Sequence, residues 1–477
     1  ESADLLAGMV QYYEQLAEST GSQREFQIKA ANAQHKVGDI HRRLGDYHSA
    51  LEAYQKSLNL YQKNPEQSNA LIIARVYNEL GRIHRYLRQE QKADSSYQNA
   101  IQLLQNSLEK NQEHPSLRFE LARTYYLMAR KLYLEQMQVG GNTPPIRLSR
   151  PSSAAQRSDS LQLKQAIEIL DQLIKSEKPQ AEYRYLLALC LQEQVSDKIP
   201  LSAEDNLKQE RVHHILESLV EERPSVADYR QALVKSYEGI DIRNVKPDAI
   251  DDTLITRFEK AIQHATRLVS DHPTIPEYKI SLIHAHNKMA HALDILAKRN
   301  NSFNETRHQH AAAELSLRTA LRLQKELMVQ FPQSLDMKKW LVKIQVALAR
   351  VLNKGGNEPE ATRLLESAIQ QLEAELKTNS NSLFLYDELL HATEELAQVY
   401  ERTEDDVGSW LMMEKFDQYE KQLQKIRPGY RYRRSEDRNH PPHDRQPPPR
   451  GIQHPPRHGN HPPENREFFP PRKRRPE

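Results

Sequence analysis

The sequence carries one cysteine, two tryptophans and only 14 glycines among 477 residues. The lone Cys190 excludes an intrachain disulfide framework, and its setting, "YRYLLALCLQEQ", reads as a small core residue. Scarce glycine argues against an α/β fold built on tight phosphate-binding turns. Val and Ile are scattered rather than gathered into alternating runs, so no strand is expected. No apolar run approaches the ~20 residues that a membrane helix needs. The Gly-rich phosphate loop, the G-x-S-x-G elbow and the H-E-x-x-H zinc helix are all missing. The chain is therefore expected to be non-enzymatic, with no cofactor and no metal.

What is present is helix-forming and polar. Charged residues make up 28% and hydrophobic residues 38% of the chain, and Ala, Leu, Gln, Glu, Lys and Arg dominate the body. The net charge of +2 conceals a split. Residues 427–477 hold 13 Arg and Lys against 6 Asp and Glu, so the body is acidic and the basic balance comes from the tail.

The body repeats itself. "VGDIHRRLGDYHSALEAYQKSLNLY" at 37–61 returns as "LGRIHRYLRQEQKADSSYQNAIQLL" at 80–104. Gly38 and Gly81, Ala50 and Ala93, Tyr54 and Tyr97 all keep a step of 43 residues. Gly38 and Ala50 are small where two antiparallel helices cross, Tyr54 and Leu58 cover one face of the second helix, and Gly45-Asp46 makes the turn. A second marker recurs further on, a proline followed by a helix start, at Pro115, Pro179, Pro224, Pro273 and Pro332. The Gly, Ala and aromatic spacing is similar to the tetratricopeptide signature, with a step longer than the usual ~34 residues. The fold expected is an all-α, tetratricopeptide-type solenoid of about seven helix pairs with a disordered C-terminal tail.

The expected organisation runs as follows. Residues 1–30 form an N-terminal helix packed on the array, and 31–137 hold the best-matching pairs. Residues 138–160, rich in Pro, Ser, Gly and Arg, are a flexible insert, where Ser149, Ser152 and Ser158 beside arginines read as loop serines or phosphate acceptors. Degenerate pairs fill 161–404. Residues 405–427, with Trp410, Met413, Phe416 and Leu423 at helical spacing, form a capping helix. Residues 428–477 hold 13 of the 26 prolines and form a disordered basic, proline-rich tail. Three Pro-Pro-Arg repeats and the closing "RKRR" leave three readings of that tail: a solubilising linker, a polyproline ligand, or a tether to an anionic surface. Its histidines could hold a transition metal only weakly, since a disordered chain loses entropy to close such a site.

The array resembles the tetratricopeptide regions that follow the kinase domain of large bacterial serine/threonine protein kinases. "MVQYYEQLAE" at 9–18, "AANAQHKVGDIHRRLGDYHSALEAYQKSL" and the helix starts "PEYKISLIHAH" and "ADYRQALVKSY" carry the likeness over residues 1–400. The resemblance implies a protein-interaction scaffold in the non-catalytic region of a larger signalling protein. The alternative is a free-standing assembly or secretion helper. No kinase Gly-rich loop, H-R-D or D-F-G is present; "HRRLGD" at 41–46 is a repeat turn. The chain opens on Glu1, and the expectation is a fragment with any targeting or membrane segment upstream. A cytoplasmic setting is favoured, or a membrane-tethered one if such a segment exists.

Repeat position places a partner groove on the first helices. Asn32, His35, Asp39, Arg42 and Arg43 face it from the first copy, and Arg75, Asn78, Arg82, Arg85 and Tyr86 from the second. The expected occupant is a partner peptide or helix, with no specific nucleic acid. Chaperone-binding members of the family clamp a C-terminal carboxylate with Lys and Asn. His35, Asp39 and Glu79 stand at those positions here, so the clamp is absent and the two acids are expected to repel such a terminus.

Overall fold

A computed structural model describes residues 15, 24–63, 70–130, 153–175, 180–195, 202–239, 250–299, 302–429 and 432. Among them are 16 helices and no strand. The first four are α1 (Arg24–Leu44), α2 (Tyr47–Gln62), α3 (Ala70–Tyr86) and α4 (Glu90–Leu108). Next come α5 (Pro115–Ala129), α6 (Ser153–Ile174), α7 (Ala181–Val195) and α8 (Ala203–Glu222). They are followed by α9 (Ala227–Glu238), α10 (Asp252–Asp271), α11 (Pro276–Arg299) and α12 (Phe303–Gln330). The last are α13 (Leu335–Gly355), α14 (Glu358–Thr378), α15 (Leu383–Arg402) and α16 (Asp406–Ile426). Each odd-numbered helix packs on the even-numbered one that follows it.

The small residues of the repeat do what their spacing implies. A Cβ on Gly38 would meet the Tyr54 ring at 2.6 Å, and one on Gly81 would meet the Tyr97 ring at 2.5 Å. Only a residue without a side chain lets each tyrosine lie flat across the crossing, and both rings are sealed from water. Ala50 and Ala93, fully buried, close the same crossings from the second helices. Pro115 opens α5, and α9, α11 and α13 begin within three residues of Pro224, Pro273 and Pro332. The long gap between the last two of those prolines is filled by long helices, α11 with 24 residues and α12 with 28.

Two compact units divide the chain, one up to Asn379 and one from Ser380. The first holds seven pairs, α1 to α14. The second holds α15 and α16. The helix expected as a cap, α16, packs on α15 as the second member of an eighth pair: Phe416 and Leu423 of α16 pack with Leu390 of α15. The pair was hidden because α15 opens on a serine cap, Ser382, which accepts from the Leu385 amide, and not on a proline marker.

Order also reaches past Pro428. Tyr432 is buried, its hydroxyl 2.5 Å from His391 Nδ1 and donating to Glu394 Oε2 at 3.1 Å. Its ring stands edge-on to Phe416. Of the N-terminal helix expected over 1–30, residues 1–23 lie, apart from Gln15, outside the described residues, and 24–30 are the first turns of α1. Residues 131–137, positions 138–152 of the insert and the tail beyond Tyr432 also lie outside them. Residues 153–160, expected as insert, are instead the first turns of α6.

Histidines also belong to the core. His213 of α8 is 8% exposed, with its Nε2 3.3 Å from the Ser236 carbonyl and its ring on Tyr237. Burial lowers its pKa to about 4, below the ordinary 6.5. The unfolded chain therefore takes up the proton first as pH falls. Stability is complete above about 6.5 and declines toward pH 4. By pH 5 this one residue is expected to cost up to about 2 kcal/mol. Thermal melts of the native chain and of His213→Gln should converge at acid pH and separate near neutrality. Parallel pH profiles would contradict the buried neutral histidine.

Candidate partner groove

Beyond their own pairs, first helices touch one another: α3 packs on α5, α5 on α7, α7 on α9 and α9 on α11. Residues three and four apart on these helices share a face, so their polar side chains collect in one band across successive pairs.

In pairs one to three the band is built around two buried carboxylates. Glu79 of α3, 8% exposed, receives Arg82 at 3.0 Å, Arg123 of α5 at 3.2 Å and Arg42 of α1 at 3.4 Å. Glu120 of α5, 1% exposed, receives Arg75 at 3.2 Å and Arg123 at 3.1 Å. The arginines keep part of their side-chain surface in water, and Arg75 remains 45% exposed. Burial disfavours the charged form of Arg82, but Glu79 outweighs it and raises the pKa.

The first copy is more self-contained. Tyr54 donates to Asp39 Oδ1 at 2.9 Å and Tyr61 donates to Asn32 Oδ1 at 2.6 Å, so the second helix reaches through to the face of the first. Burial lowers the pKa of His35, whose ring stands edge-on to Tyr54. Counting Lys36, which lies 3.8 Å from Asp39, four arginines and one lysine face the three carboxylates Asp39, Glu79 and Glu120. The band therefore carries an excess of two positive charges.

Two expected groove residues are corrected. Asn78 is fully buried and bonds Glu120 at 2.8 Å and Thr124 at 2.9 Å, joining α3 to α5. Arg85 is 7% exposed and donates to the Leu127, Met128 and Arg130 carbonyls, where α5 ends. Those last carbonyls have no partner within their own helix, and a guanidinium satisfies them while matching the negative end of the helix dipole. Both residues hold the array together and neither is open to a ligand. Tyr86 stacks on Tyr47 at 4.5 Å, which places it at the junction between pairs. Arg43 lies within α1, and its side chain is outside the described residues.

The sequence reading missed Glu120 and Arg123. The signal was present: Glu79-x-x-Arg82 returns as Glu120-x-x-Arg123, and Leu80-Gly81 as Leu121-Ala122. The step has shortened by two residues, enough to hide a third copy from a search at fixed period. The expected repulsion by Glu79 also needs correction, because three guanidiniums surround that carboxylate. Among the described residues, no group of three or more His, Cys, Asp and Glu could hold a metal ion, and no helix is long and apolar enough to cross a membrane.

Solved structures that the chain is similar to include the S. pombe nuclear import adaptor Nro1, at 13% identity over 67% of this chain and 99% of that one, TM-score 0.42. A Rap protein complexed with competence and sporulation factor matches at 12% identity over 89% of this chain and 99% of that one, TM-score 0.31. The human IFIT1 dimer with m7Gppp-AAAA matches at 11% identity over 89% and 95% of the two chains, TM-score 0.25. No curated protein matches the sequence. Residues 29–106, the span that carries the Gly38–Tyr54 and Gly81–Tyr97 contacts, match the tetratricopeptide repeat.

Proposed function

We propose that the chain is a protein-interaction scaffold that takes an acidic partner segment on its first-helix face. The observation that carries this is the arginine band of pairs one to three. Its guanidiniums outnumber its carboxylates, and Arg75 is exposed while already fixed by Glu120. Such pre-oriented cations bind a further carboxylate at little entropic cost. Recognition would run through the side chains of an internal acidic stretch, because the Lys and Asn pair of a terminal-carboxylate clamp is missing.

Calorimetric titration of the full chain with a Glu-rich peptide, C-terminally amidated, tests the proposal. Binding that weakens with added salt and loses roughly threefold to tenfold affinity in Arg75→Ala is expected. Glu120 keeps Arg123 and Asn78 in that variant, so the fold should persist. Binding indifferent to salt and to Arg75, or no binding at low ionic strength, would exclude it.

The finer placement, in the non-catalytic region of a bacterial serine/threonine kinase or similar signalling protein, is supported by the resemblance of residues 9–18 and of the first repeat. The intact mass of the native protein, with peptide mapping upstream of Glu1, tests it. A kinase-sized extension supports the placement, and a native start near Glu1 favours the free-standing helper.

A further inference from the structure

At pair eight a residue from outside the helices is seated against both members of the pair. α15 and α16 pack on each other through Leu390, Phe416 and Leu423, all sealed from water. Pro428 follows the end of α16, and Gly429 turns the chain with a left-handed φ of 81°. Three residues later Tyr432 is buried, only 9% exposed. Its ring stands edge-on to His391 of α15 at 4.9 Å and to Phe416 of α16 at 5.3 Å.

Two observations mark this seat as a recognition site. The first is its polar chemistry. The Tyr432 hydroxyl donates its one proton to Glu394 Oε2 at 3.1 Å. His391 Nδ1, 2.5 Å away, must therefore carry a proton of its own and donate to the phenol oxygen. Glu394 is 2% exposed, so a buried carboxylate and a histidine together select a phenol over a plain aromatic ring. Burial, and then Glu394, raise the phenol pKa and keep it in the protonated form that this match requires. The second observation is modular. The groups that hold Tyr432 belong to a helix pair with its own apolar contacts, and the tyrosine reaches them around a turn that glycine adopts freely. A Cβ on Gly429 would have nothing within 4 Å, so what that residue contributes is the turn itself.

We propose that α15 and α16 form a docking site for a short tyrosine-bearing segment, and that the chain's own Tyr432 occupies it in cis. The inference uses no residue of the arginine band, so the two stand or fall separately. A segment tethered at the end of α16 is present at an effective concentration of roughly millimolar. One side chain with two hydrogen bonds is then enough to keep the site filled. The same contact is small enough to open locally and give way to a second tyrosine-bearing segment. Displacement frees the phenol seat and the start of the proline-rich tail together.

A fluorescent peptide with the sequence of residues 428–438 is titrated into the full native chain, into Tyr432→Ala and into Gly429→Val. Tyr432→Ala empties the seat. Gly429→Val leaves every group of the seat in place and makes the turn about tenfold less favourable, since a β-branched residue resists a positive φ. The peptide is expected to bind Tyr432→Ala at least tenfold more tightly than the native chain, with Gly429→Val between them. In the peptide, Tyr432→Phe should weaken binding about tenfold, and Tyr432→Ala should abolish it although Tyr430 remains. If Tyr432→Ala lowers the melting temperature of the chain, the comparison of Gly429→Val with the native chain decides. Equal binding to the native chain and to the variants overturns occupancy in cis. No binding to a folded variant, or a Phe peptide that binds as well as the tyrosine one, overturns the phenol site.

Discussion

Glu120→Ala is expected to destabilise the first unit by about 3–5 kcal/mol, the largest effect of any single substitution considered. The carboxylate is 1% exposed and is reached from Arg75, Asn78 and Arg123. Removing it leaves Asn78 Nδ2 sealed between α3 and α5 with Thr124 as its remaining partner. Arg75 and Arg123 keep some access to water and turn outward, which sets the loss toward the lower end of the range. Glu120→Gln restores one acceptor but presents an amide donor to guanidinium donors, so it should recover only part of the loss. Urea unfolding of the full chain checks this. Pairing Glu120→Ala with Arg123→Ala should show coupling of roughly 1–3 kcal/mol. Strict additivity would mean that the carboxylate and the guanidinium do not share one network.

Gly81→Ala should cost about 1–3 kcal/mol, and the sign is the informative part. In an ordinary helix interior, replacing glycine by alanine stabilises by roughly 0.5–1 kcal/mol, because the unfolded chain loses freedom. Here the new methyl would lie 2.5 Å from Tyr97 Cε1 and 2.6 Å from Cζ. That ring is 1% exposed, with the Arg85 guanidinium over it at 5.0 Å, so it has nowhere to move. Overpacking of this kind outweighs the backbone gain. In a Tyr97→Leu background, which removes the aromatic ring, the same Gly81→Ala change should become neutral or favourable. Calorimetric melting of the four proteins of this cycle decides the point. A stabilising Gly81→Ala in the native background would show that the crossing is looser than the contact implies.

These two residues also mark how far the sequence could be read. Gly81 was legible because its role is local: one helix crosses its own partner, and the Gly, Ala and Tyr of that crossing recur at a fixed step. The fold class followed, since a single helix pair cannot bury its apolar face and stacking completes the core. Glu120 was not legible, because its role is set between pairs. Whether Asn78 or Arg82 meets solvent depends on how α5 is rotated against α3, and residues four apart on α3 divide differently. Arg75 and Arg82 stay partly exposed, while Asn78 and Arg85 are buried by the next pair. The shortened step to the third copy concealed Glu120 and Arg123 for the same reason. The eighth pair was obscured by a change of cap chemistry at Ser382. Tyr432 was obscured by its neighbours, since a proline- and arginine-rich sequence gives no hint that one tyrosine is held by His391 and Glu394.

The central claim is that the first helices, and not the second helices behind them, receive the partner. The most direct measurement is where an acidic peptide lands. A Glu-rich peptide bearing a photoreactive group is cross-linked to the full chain, and the adducts are located by peptide mapping. Adducts are expected on residues 24–44, 70–86 and 115–129. Adducts confined to the second helices, such as α2, α4 and α10, would contradict it.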